Sequence, residues 1–183
     1  MTENTFNYYA IQVKTREEGK FLKLFNALNR EANIRLYFPK RVLDIYKKGK
    51  FIPSSSPVFP GYVFAELDSE NDIIKYKPLL RKTEGFYRFL PSNQNIAPLA
   101  GRNLQIVLHF IKKIGPVAGK SLVTFDENSK IVVLSGPLMG LEGKIVKVDK
   151  RKKRAKIKLD LYEDSFLIDL AFEFLGNKKG NCL

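Results

Sequence analysis

A chain of 183 residues that is 44% hydrophobic is long enough for one medium domain or two small ones and too apolar to be disordered throughout. Its formal net charge of +13 points to a polyanionic partner, nucleic acid before a membrane surface, because no segment sets a large apolar face beside a basic one. No apolar run approaches the roughly 20 residues of a membrane-spanning helix, and one cysteine, Cys182, with one histidine, His109, leaves no disulfide framework, zinc knuckle or catalytic constellation. Residues 1–7 are too polar for a secretory signal, so a cytoplasmic location is expected.

In chain order, residues 8–13 are aromatic and β-branched, which predicts a strand, and Thr15 to Glu18 reads as a capping box. Phe21, Leu24, Phe25 and Leu28 recur at helical spacing, predicting a helix over about 16–30. A short strand at 36–38 ends at Pro39. Residues 42–46 and 51–52 flank the basic turn Lys47-Lys48-Gly49-Lys50, and 53–57 reads as a loop. An aromatic strand over 58–67 is entered through Pro60-Gly61; Ser69 and Asp72 can cap a helix that Pro78 stops. Residues 86–90 form a further strand, and Leu104, Val107, Leu108 and Ile111 mark a third helix.

The register then changes. Strands are expected at 122–125 and 131–134; Ala155, Ile157, Leu159 and Leu161 alternate against Lys156, Lys158 and Asp160, and Phe166, Ile168, Leu170, Phe172 and Phe174 repeat the pattern. Five short strands in so few residues predict a small, strongly bent barrel with Greek-key or SH3-like closure. The expected fold class is therefore α+β: an antiparallel sheet with packed helices over 1–114, a linker at 115–121, an all-β barrel over 122–175 and a tail at 176–183.

Two segments are less generic. Val58-Phe59-Pro60-Gly61-Tyr62-Val63-Phe64, followed by Arg81-Lys82-Thr83-Glu84-Gly85-Phe86-Tyr87-Arg88-Phe89-Leu90, resembles the signature of the amino-terminal (NGN) domain of the NusG family of transcription elongation factors, an α/β sandwich. Ser135-Gly136-Pro137-Leu138-Met139-Gly140-Leu141-Glu142-Gly143-Lys144-Ile145 resembles the KOW motif of that family's carboxy-terminal barrel. With no Trp and a strongly basic KOW hairpin, the chain is most similar to specialised paralogs, the LoaP group of antiterminators above all. The resemblance implies binding to RNA polymerase through the first domain, suppression of pausing and termination, and contact with nucleic acid through the KOW domain; a monomer is expected.

The candidate sites follow. By alternation Tyr62 and Phe64 share a strand face, which is either packed core or an exposed apolar patch. The resemblance makes that face, with Phe59 and Tyr9 nearby, a polymerase-binding depression, and makes Tyr76 and Lys77 contacts to the opposing lobe of the polymerase cleft. Lys47, Lys48, Lys50, Arg81 and Arg88 are candidates for the non-template DNA strand, with a solvated hairpin tip as the alternative for the lysines.

In the KOW block Gly136, Gly140 and Gly143, with Pro137, are primarily structural. The turn Lys150-Arg151-Lys152-Lys153-Arg154 must be at the surface, Lys144, Lys147, Lys156 and Lys158 extend its charge, and the acidic neighbours are Asp149 and Asp160. These cations are expected to bind RNA, such as a nascent hairpin. The competing expectations are a general NusG whose KOW domain docks a ribosomal protein or termination factor, and a ribosome-associated KOW protein that binds ribosomal RNA. No metal site, cofactor or enzymatic apparatus is indicated.

Overall fold

The computed structural model describes residues 6–68 and 73–175, so the caps expected at Ser69 and Asp72, the tail and Cys182 lie outside the described residues. In chain order it contains β1 (Phe6–Val13), α1 (Glu18–Leu28), β2 (Arg35–Tyr37), β3 (Lys40–Lys47), β4 (Lys50–Pro57), β5 (Tyr62–Asp68), α2 (Ile73–Lys82), β6 (Phe86–Phe89) and α3 (Gly101–Leu108). Then come β7 (Val117–Ala118), β8 (Ser121–Phe125), β9 (Ile131–Ser135), β10 (Ile145–Asp149), β11 (Arg154–Leu161) and β12 (Asp164–Phe174). The chain divides into two compact units, Met1–Lys40 with Pro57–Pro116 and Arg41–Ser56 with Val117–Leu183. The β3–β4 hairpin, which the sequence places with the first domain, thus groups with the second.

In the first unit an antiparallel sheet has the order β2-β5-β1-β6. Strand β5 pairs β1 with Ile11 opposite Val63 and Tyr9 opposite Ala65, and it is buried on both faces along all but its last residue. On one face Ile11, Val63 and Leu67 meet Phe21 and Phe25 of α1 and Ile73, Tyr76 and Leu80 of α2. On the other, Phe59 packs edge-on against Phe64 at 5.3 Å and against Phe110 at 5.9 Å between ring centroids. Phe110 lies in a wider π turn, His109–Lys113, that continues α3.

Three local expectations are corrected. Thr15 does not cap α1: Glu17 occupies the cap position without a side-chain bond, and the buried Glu18 carboxylate instead accepts from the amides of Arg16 at 3.1 Å and Gly61 at 2.7 Å. The acid at the helix start is spent on fastening the turn before β5. Pro78 does not stop α2, which runs through it to Lys82; proline removes one intrahelical hydrogen bond, but Ile73, Tyr76 and Leu80 on the buried face hold both sides of it. The loop expected at 53–57 is instead part of β4, whose prolines are tolerated because β4 is the edge of the three-stranded sheet β4-β3-β7.

A second buried carboxylate, besides Glu18, organises a polar cluster inside the first unit. The Glu66 carboxylate, on the Phe64 side of β5, is buried. It accepts hydrogen bonds from the hydroxyls of Tyr8 at 2.6 Å and Tyr37 at 3.2 Å, and it pairs with Arg35 at 3.1 Å and Lys112 at 2.5 Å. Burial pushes its pKa up, but the Lys112 ammonium and the Tyr8 hydrogen bond outweigh that and hold it below the usual carboxylate range. Tyr8 moves the other way, to about 12, because burial and Glu66 both disfavour its phenolate.

The second unit holds a five-stranded half-barrel of order β10-β11-β12-β8-β9, in which β12 pairs β8 in parallel. The alternation read from the sequence of β11 is present: Ala155, Ile157, Leu159 and Leu161 are fully buried. Gly136 has φ +92°, and a Cβ there would fall 2.7 Å from Ser121 Cα and 2.9 Å from the Lys120 carbonyl oxygen. Both obstacles are backbone, so neither can swing aside. Gly136→Ala is expected to destabilise the second unit by about 2 kcal/mol, measured as faster amide exchange in β8 and β9; unchanged exchange would contradict the crowding.

Candidate nucleic-acid interface

The five cations of the β10–β11 turn prove inequivalent once the side chains are placed. The turn is closed by Asp149, whose Oδ1 accepts from the Lys152 amide at 2.8 Å. Lys150 Nζ sits 3.9 Å from the centroid of the Phe125 ring and Lys153 Nζ 5.9 Å from that of Phe174, so both cover the aromatic end of the half-barrel. Arg154 is half-buried and its guanidinium donates to the Asp44 carbonyl of the hairpin. Arg151 and Lys152 are exposed at the apex of the turn.

Along the strands the positive charge is partly answered. Lys156 pairs with Asp169 at 2.9 Å, and Lys158 lies 3.8 Å from Asp160. A hydrogen bond from Ser165, together with Lys158, holds the Asp160 carboxyl below its usual range. Lys144 and Lys147 are exposed. The expectation that Asp149 and Asp160 are the acidic neighbours is therefore corrected: β12 sets Asp169 directly opposite Lys156, and the hairpin brings Asp44 to Lys120 at 2.7 Å. Lys120 is held above the usual lysine range by that pair.

The polymerase candidates are placed differently from the exposed-patch alternative. Tyr9, Phe59, Tyr62, Phe64 and Tyr76 are each at most 6% exposed, and Lys77 is half-buried with its ammonium on the Asn93 carbonyl at 3.0 Å. The strand face shared by Tyr62 and Phe64 is core, closed by Phe59 and Phe110. Of the DNA candidates, Lys47, Lys48 and Lys50 are exposed on the hairpin of the second unit, whereas Arg81 and Arg88 are exposed on the first, Arg88 bonded to Gln12 at 2.7 Å. The structure does not gather these five onto one unit.

Against this geometry stand the comparisons. Residues 6–108 match the family described as "Transcription termination factor nusG", and residues 127–158 match the "KOW motif". The chain belongs to the NusG family. It is 24% identical over 173 residues to the transcription termination/antitermination protein NusG of Bacillus subtilis, covering 92% of each chain. With the protein of the same name from Helicobacter pylori it shares 22% identity over 162 residues, 85% of this chain and 89% of that one. A structure titled "Domain interaction in Thermotoga maritima NusG" matches in fold with a TM-score of 0.53 at 18% identity, over 91% of this chain and 94% of that one. The chain is a NusG-like transcription termination/antitermination factor, and members of the family are transcription factors, not enzymes.

Within the KOW motif of this NusG-family chain the glycines divide. Gly136 and Gly140 have left-handed φ of +92° and +84°, while Gly143 lies in the 3-10 turn Glu142–Lys144 with open space where a Cβ would be. Pro137 precedes Leu138, which is fully buried and whose amide donates to Ser121 Oγ at 2.9 Å. Sequence reasoning missed the exposed pair Tyr46 and Phe51 and the Asp44–Lys120 tie. The available signal was two aromatics flanking a lysine turn at the end of a hairpin. Among the described residues no helix is long and apolar enough to cross a membrane, and no cluster of His, Cys, Asp and Glu could hold a metal.

Proposed function

We propose that this NusG-family protein is a specialised elongation and antitermination factor of the LoaP kind, whose first unit binds RNA polymerase and whose half-barrel binds nascent RNA, a hairpin stem being the simplest target. The carrying observation is the β10–β11 turn, where Arg151 and Lys152 stand exposed at the apex with Lys144 and Lys147 nearby on the chain. A fork-shaped guanidinium and a mobile ammonium at a surface apex suit phosphate oxygens, with no need to read bases. The hairpin lysines Lys47, Lys48 and Lys50 suit a second phosphate strand, such as non-template DNA in the transcription bubble. A cytoplasmic site of action follows from this reading.

Two measurements test it. Titration of a hairpin RNA across salt should show affinity falling steeply with ionic strength, by about 0.7 to 0.9 log units per log unit of salt for each phosphate engaged. Arg151→Ala with Lys152→Ala should flatten the slope by about two contacts' worth, whereas an unchanged slope refutes the phosphate role. In reconstituted transcription, full-length protein should bind elongation complexes and reduce termination, and failure to do either refutes the polymerase half. A protein-docking barrel is the second reading, favoured by Val146 and Leu167, which are 55% and 62% exposed on β10 and β12. A ribosomal protein that bound the half-barrel without competition from RNA would select it.

A further inference from the structure

The hairpin is fastened to the half-barrel within the second unit, by the Arg154 guanidinium on the Asp44 carbonyl and by Lys120 on the Asp44 carboxylate at 2.7 Å. Between them runs a groove of about 860 Å³, inside the range of roughly 300–1,000 Å³ usual for ligand sites. One wall carries Tyr46 and Phe51, the other Arg151, Lys152 and Lys153. The two rings touch edge to face at 5.2 Å between centroids, yet Tyr46 is 68% and Phe51 73% exposed. The hairpin lysines Lys47, Lys48 and Lys50 lie between these two aromatics in the chain.

We propose that this groove holds an unpaired nucleotide of RNA, its base stacked on the Tyr46–Phe51 pair and its flanking phosphates held by Arg151 and Lys152. The proposal rests on the RNA-binding reading of the β10–β11 turn and adds to it: the hairpin becomes half of the same site. An exposed aromatic pair beside cations is the combination that binds single strands, because a π-face needs a base freed from its stack while the cations follow the backbone. A duplex offers no free base face to these rings. An acidic peptide would satisfy the cations and leave both aromatic faces against water. Asp44, the acid in the groove wall, is paired with Lys120, and Glu173 is the other carboxylate that lines it.

The test compares a blunt-ended RNA duplex with the same duplex carrying a short single-stranded extension that contains 2-aminopurine, titrated with full-length wild type and with Tyr46→Ala, Phe51→Ala and the double variant. The extension should tighten wild-type binding by about tenfold and quench the 2-aminopurine fluorescence on stacking. Both effects should vanish in the double variant and be kept in Tyr46→Phe, while affinity for the blunt duplex stays as in wild type. Because the rings are exposed, the variants should keep the wild-type urea midpoint. An extension effect that survives loss of both rings overturns the groove and leaves the RNA-binding turn standing. Binding of neither RNA overturns both. An extension of DNA that gains as much as RNA overturns the RNA assignment, and so does ring-dependent binding of a polyglutamate probe in preference to it.

Discussion

Phe64→Ala is expected to destabilise the first unit by about 3–5 kcal/mol, the cost of emptying a buried ring position that its surroundings cannot fill. The Phe64 side chain is fully buried, and its edge-on partner Phe59 packs in turn on Phe110, so the deletion undercuts the two remaining rings of the stack. The π turn would lose its anchor on the sheet. In urea titrations followed by amide exchange in β1 and β5, the variant should unfold well before wild type. Phe64→Leu, which keeps most of the volume, should cost less than about 1.5 kcal/mol. The pair separates two roles for the residue. If polymerase binding is lost in Phe64→Ala and kept in Phe64→Leu, the ring supports the fold; if both lose binding while Phe64→Leu remains folded, the ring itself docks and the buried placement does not describe the bound state.

The same residue shows what can be read from a sequence and what cannot. Alternation correctly puts Tyr62 and Phe64 on one face of a strand, since the period of two is a property of the backbone. What covers that face is decided by Phe110, far along the chain in a π turn that local periodicity reads only as the end of a helix. The strands of β11 and β12 and the family motifs were legible because burial by alternation and the left-handed turn at Gly136 leave local marks. The grouping of the hairpin with the second unit was not, because it depends on Asp44 meeting Lys120 and Arg154, three positions with no common pattern. Charge counting failed for a related reason. A run of five cations looks uniform in one dimension, but Phe125, Phe174 and Asp44 sort it into two ring-covering lysines, one strut and an exposed apex.

Glu66→Gln is expected to cost about 3 kcal/mol at neutral pH, the low end for breaking a buried ion pair, because Lys112 and Arg35 are partly exposed and water can replace their partner. Each carboxylate oxygen takes one tyrosine and one cation; the amide keeps one oxygen for one such pair and turns its NH₂ toward the other, so at least Arg35 or Lys112 loses its bond. The substitution also has a signature in pH. The Glu66 pKa is lower in the folded protein than in the unfolded chain, so its contribution is complete above the unfolded value of about 4.3 and declines as pH falls through the folded value. Wild type should therefore lose stability on acidification from about pH 5 downward, and Glu66→Gln should lose less over the same interval, the two curves converging at low pH. Parallel curves would mean that Glu66 keeps an ordinary pKa and that its four partners do not act on its charge. Lys112→Met tests the same pair from the other side: burial and the Tyr8 hydrogen bond remain, the main opposing cation is gone, and the Glu66 pKa should rise, moving the acid transition upward.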